Sequence, residues 1–226
     1  MNEIILAVIL IISLMSIYCL YKIFDKMGLY YSLIIFIGTA IITSFKIMKI
    51  FNFNLNINIL FLICIMTIIY IILAKYNTKE LNNIIKVSCI TTIFSALIVL
   101  LLGYYIPSIN STIAINIKST FIHNYKVLIA LPITLLGGII ATTKLYQFIS
   151  KLQDNIYINI VLTYIITGLI YTVIFQIFCY LNFIKIYNSI YIGLTSYLFG
   201  LIITIIQLFT INLILKQKKV REWTIY

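Results

Sequence analysis

The chain is short of the side chains that most often move protons or hold metals: five acidic residues and one histidine in 226. The acids Glu3, Asp25, Glu80, Asp154 and Glu222 all fall at or beyond the ends of apolar runs. No carboxylate therefore lies at depth, where an ion-coupled pump would need one. His123 follows the fourth apolar run with no second histidine or carboxylate at ligand spacing, so it is read as a loop residue rather than a ligand or pH sensor. The four cysteines, Cys19, Cys64, Cys89 and Cys179, form no CxxC pair and sit inside apolar runs, where cysteine acts as a small filler. No nucleophile stands with a base at depth, so the expectation is a protein that is not an enzyme and uses no cofactor or metal. Proline occurs twice. Pro132 is expected to bend its helix, as static curvature beside Gly137 and Gly138 rather than as a hinge.

Charge is scarce as well. Only 9% of residues are charged, while 63% are apolar and mean hydropathy is +1.16. A soluble globule could not assemble a polar skin from so few charges, so lipid is the expected solvent for most of the surface. A helix needs about 20 largely apolar residues to cross about 30 Å of hydrocarbon. Seven segments qualify: 4–21, 29–45, 57–74, 87–106, 127–146, 158–181 and 190–215. The runs are continuously apolar rather than alternating, which argues against a β-barrel. The first run lacks a basic start and a small-residue cleavage site, and is read as a retained helix rather than a signal peptide. The fold class expected is all-α: a polytopic bundle of about seven transmembrane helices, forming one domain over residues 1–226 with a basic tail at 216–226.

Basic residues in short loops resist translocation and so orient the bundle. With the C-terminus inside, eleven basic residues lie inside (Lys22, Lys26, Lys75, Lys79, Lys86, Lys144, Lys151, Lys216, Lys218, Lys219 and Arg221). Five lie outside: Lys46, Lys49, Lys118, Lys126 and Lys185. The expected topology is therefore N-out, C-in, and the net charge of +11 is chiefly a topology signal. Nucleic acid is not an expected partner, because no soluble domain presents a basic face. The bilayer is, and the basic tail is placed to touch anionic lipid.

The polar groups at depth are neutral. Ser and Thr in such runs usually bond their own helix or a neighbour, but Gln176 and Gln207 carry amides that need partners from another helix or from a bound ligand. Gly168, Gly193 and Gly200 open space on the last two runs. A substrate site is therefore expected between the sixth and seventh runs, from Gln176, Gln207, Tyr171 and Tyr197, with Tyr70 of the third run as a further candidate. The competing reading is that these groups satisfy one another between packed helices.

The stretch KIFDKMGLYYSLIIF, Lys22 to Phe36, followed by Lys46, Phe51 and LAKYNTKELNN at Leu73 to Asn83, resembles the vitamin uptake transporters, also called the queuosine precursor transporters. In that family a lysine-tyrosine turn is followed by lysine-glutamate, positions held here by Lys75, Tyr76, Lys79 and Glu80. The likeness covers nearly the whole chain through the spacing of its apolar runs. It departs in the intramembrane polar residues, whose positions fall at Tyr70, Ala74, Gly138, Ile139, Thr142, Thr167, Gly168, Tyr171, Gly200 and Gln207. The resemblance implies a multi-pass transporter of a small, flat heterocycle in a bacterial inner or plasma membrane. The alternative is a non-transporting accessory subunit that keeps the scaffold, with another membrane protein or a second copy as partner.

Overall fold

The computed structural model describes residues 2–44, 47–76, 80–104, 125–180 and 186–217, with backbone alone for 102–104, 125–129, 131, 175, 176 and 178–180. Six helices occupy nearly all of it: α1 (Asn2–Thr43), α2 (Asn58–Tyr76), α3 (Leu81–Tyr104), α4 (Tyr125–Leu152), α5 (Ile156–Tyr180) and α6 (Ile186–Lys216). Two short strands, β1 (Ile47–Ile50) and β2 (Phe53–Asn56), pair antiparallel between α1 and α2. All six helices are long and apolar enough to cross a membrane. In hydrocarbon every backbone group must be paired within the segment, which makes helix the outcome even for runs this rich in isoleucine.

The first two apolar runs are the two arms of α1. The helix breaks at Asp25, whose φ of 49° and ψ of −127° are not helical. A straight helix of this length would put its ends about 60 Å apart. Yet Asn2 Nδ2 donates to Lys49 O at 2.9 Å, and Phe51 N donates to Glu3 Oε1 at 3.1 Å. From Thr43 the chain could reach only about 20 Å to Lys49. The arms must therefore fold back on each other at Asp25, and Gly28 lies so close to the carbonyl of Leu20 that no Cβ would fit.

α2 is the axle of the bundle. Every residue from Asn58 to Leu73 is buried, and α1, α4, α5 and α6 all touch it. Around it α1, α3, α4, α5 and α6 pack in sequence, and α6 returns to α1. Outward faces carry large apolar side chains such as Ile90, Phe94, Ile205 and Phe209, 63–70% exposed, which suits lipid rather than water as their surroundings.

Local chemistry sets the helix ends. Asn56 Oδ1 accepts from Asn58 N at 2.9 Å and caps α2. Asn155 Oδ1 accepts from Tyr157 N at 3.0 Å and caps α5 after the Gln153-Asp154-Asn155 turn. The hairpin turns through Phe51 and Asn52, both at positive φ, with Ile50 opposite Phe53. That is the two-residue turn whose twist matches paired strands. The helix α4 runs through Pro132.

Candidate functional site

The expected substrate residues are dispersed across three settings. Gln207 on α6 is fully buried and faces Thr67 on α2, one turn before Tyr70. Thr67 has a single hydroxyl proton, and both Ile63 O, at 2.7 Å, and Gln207 Oε1 stand in its reach. With the amide turned over, Gln207 Nε2 donates one of its two N–H groups to Thr67 Oγ1 while Thr67 donates to Ile63. Tyr70, also fully buried, lies 5.3 Å from the ring of Tyr146 on α4, and its hydroxyl has no partner among the described residues.

Tyr197 belongs to a second setting. Its ring stacks on Tyr164 of α5 at 5.9 Å and 4°. The two hydroxyls then cross-bond the helices: Tyr197 donates to Ile165 O at 3.1 Å, and Tyr164 to Tyr197 O at 3.3 Å. Gly168 and Gly200 provide the seat, since a Cβ on either would collide with Tyr164. The small residues of the last two helices thus hold a tyrosine clasp. The side chain of Gln176 lies outside the described residues, as do Cys179 and His123.

Tyr171 stands apart from both, on the α4 side of α5. It borders a groove of about 590 Å³ between α4 and α5 that also touches Thr134, Gly137, Gly138, Ala141 and Thr167. Two small cavities of about 10 Å³ each abut the same ring. One lies against Leu135, Gly138 and Thr142, and the other is bounded by Asn56, Asn58, Thr172 and Ser196. Gly138 lies directly under the Tyr171 ring, where a Cβ would come to 2.5 Å from Cδ2. The structure brings Tyr171 together with none of Gln207, Tyr197 or Tyr70 in these cavities.

A polar cluster drawn from span ends and the turns between them gathers at the Asp25 end. Lys26 Nζ meets Glu80 Oε1 at 2.6 Å, and Glu80 Oε2 accepts from Tyr30 at 2.8 Å and Asn83 at 3.1 Å. Tyr76 donates to Asp25. Lys75 donates to Tyr21, and to the last carbonyls of α6, Ile214 O at 3.0 Å and Gln217 O at 2.9 Å, capping a neighbouring helix where a cation is favoured. Partial burial pushes the Glu80 carboxyl up, but the bonds from Lys26, Asn83 and Tyr30 outweigh it and hold the group below its usual range. Lys26, Tyr30, Lys75, Tyr76 and Glu80 all fall in the two stretches that carry the family resemblance, whereas Gln217 carries no signal beyond standing near a run end. Among the described residues no three His, Cys, Asp or Glu side chains gather as a metal site would require.

No family model, curated protein or solved structure matches the chain.

Proposed function

We propose that the chain crosses a cell membrane seven times, N-terminus outside and C-terminus inside, and carries a small, flat, weakly polar molecule of the queuosine-precursor or vitamin-like class. The observation that carries this reading is the groove between α4 and α5. Its volume of about 590 Å³ falls in the range of small-molecule sites, about 300–1,000 Å³. It is apolar apart from Thr134, Thr167 and Tyr171, a lining suited to a flat solute with few polar atoms. The resemblance at Lys22 to Phe36 and Leu73 to Asn83 supports the substrate class. The topology draws on two geometric facts. The arms of α1 fold back, and Gln217, past α6, bonds Tyr18 at 2.8 Å near the Asp25 end while Asn2 sits at the hairpin end.

A second reading also has an observation behind it. Gly137 has nothing within 4 Å of where a Cβ would stand, and it lines the groove together with Ala141. This small-xxx-small pattern lets a transmembrane helix approach closely, as an accessory subunit would need. Uptake of a radiolabelled queuosine precursor, in cells deprived of their own precursor uptake, separates the two. The expected result is restored uptake, lost when Gly137→Leu fills the groove. No uptake despite membrane expression removes the substrate, and a second membrane protein co-purifying with the parent chain but not with Gly137→Leu favours the subunit.

A further inference from the structure

We propose that Tyr171 is a gate between the groove and the small cavity that Asn58 borders, and that the Asn58 amide is the group that recognises the ligand. Asn58 lies in the first turn of α2, 1% exposed. Its backbone N–H is used by Asn56, but neither Oδ1 nor Nδ2 has a partner among the described residues. A buried primary amide with both ends unpaired is rare enough to require an explanation. The pocket it borders, with Asn56, Thr172 and Ser196, holds about 10 Å³, the space of a single water. One water cannot pair both ends of the amide as well as a group with a donor beside an acceptor can.

Such a group has one way in on the page. Among the described residues, Tyr171 alone borders the groove and both small cavities. Its ring rests on Gly138, the position where any side chain would displace it, and beside it the groove leaves room for the ring to swing outward. Moving that ring joins an apolar chamber to a polar end wall. A flat molecule would lie along the groove and direct an amide-like edge, N–H next to C=O, at Asn58. The inference rests on the carrier reading in taking the groove as the ligand's chamber.

The test uses the full chain purified in mild detergent, with 2-pyridone as probe and N-methyl-2-pyridone, which keeps the acceptor but lacks the donor, as its control. Affinities are read from the shift of the thermal midpoint with probe concentration. Removing the gate removes the fraction of time the pocket is shut, so Tyr171→Ala should bind 2-pyridone more tightly than the parent chain. It should also prefer 2-pyridone over the N-methyl control by about tenfold, the scale of one hydrogen bond to a buried group. Both probes can enter the space of the missing ring, and because the control also carries an extra methyl group, it is the dependence of the preference on Asn58 that reports the hydrogen bond. Adding Asn58→Leu should abolish the preference. That change removes an unpaired amide at similar volume, so the probe-free midpoint should not fall. Equal binding of the two probes, or a preference that survives Asn58→Leu, overturns the recognition role. The gate is tested in a chain with its native cysteines replaced by alanine and Asn58→Cys added. N-ethylmaleimide should react with this thiol much faster when Tyr171→Ala is also present, and equal rates would overturn the gate. Binding is measured without transport, so a failed uptake assay and a failed binding assay remain separate results.

Discussion

At the residue scale, the pairing of Thr67 with Gln207 decides what each side chain contributes. A hydrogen bond between membrane helices is worth about 0.6 kcal/mol on average, whereas a buried polar group left unpaired costs about 1–3 kcal/mol. Gln207→Leu loses the bond but also removes the amide that needed it, and should lower stability by no more than about 1 kcal/mol. Thr67→Val leaves the Gln207 amide buried against a methyl group, and should cost about 1–3 kcal/mol. Thermal unfolding in mild detergent, followed by the exposure of buried Cys64 to a thiol dye, ranks the two. A larger loss for Gln207→Leu would mean that its amide does more than bridge to α2.

At the element scale, α1 depends on a break that falls in the gap between its two apolar runs, at a residue that is not glycine. The Asp25 φ and ψ are those of the first central position of a type II′ turn, which glycine adopts readily and other residues only with strain. Asp25 also accepts from Tyr76. Asp25→Ala keeps the strain and loses the bond, while Asp25→Gly loses the bond and relaxes the backbone. The glycine variant should therefore be the more stable of the two by about 1 kcal/mol or more. Equal thermal midpoints would show that the break carries no strain. The neighbouring Lys26–Glu80 pair ties the break to the start of α3. Glu80 titrates below its usual value of 4.5, so its stabilisation is complete above that pH and is lost as pH falls through the depressed value. Because the pair is partly exposed, the gain is below about 1 kcal/mol. The parent chain should have the higher midpoint at pH 7, and its advantage over Glu80→Gln should begin to shrink as the pH drops below 4.5 and vanish only once the depressed value is passed. A difference that does not change with pH would remove the charge from the explanation.

At the scale of the whole molecule, the apolar runs were readable because the bilayer tolerates little else. Helices α2 to α6 begin and end within a few residues of the runs that predicted them, except that α3 starts early, at Leu81, and α4 continues to Leu152. Those extensions contain Asn82, Asn83, Lys86, Gln147 and Lys151, polar residues that a search for oil passes over. The strand pair was hidden for the opposite reason. Ile47 to Asn56 is too short and mixed to read as a span, and its turn is made by Phe51, a residue seldom found at positive φ. The candidate site was legible in depth but not in direction. Small and polar residues recur at helical spacing on the buried sides of α5 (Asn159, Thr163, Thr167) and α6 (Ser189, Ser196, Gln207), but nothing in the spacing tells that Gln207 turns to α2, Tyr197 to Tyr164, and Tyr171 to the groove. The two ends of the bundle can still be distinguished in a membrane. Asn52, in the hairpin turn, and Asp154, between α4 and α5, are separated by α2, α3 and α4, so the proposed topology, in which all three cross, puts them on opposite sides. In a chain with its native cysteines replaced by alanine, Asn52→Cys should react with a membrane-impermeant maleimide in intact cells, and Asp154→Cys only after permeabilisation. The reverse pattern would invert the orientation drawn from the basic residues while keeping the crossings. Labelling of both positions from one side would mean that one of these three helices does not cross, and α2 is the least able to lie elsewhere, because α1, α4, α5 and α6 pack around it.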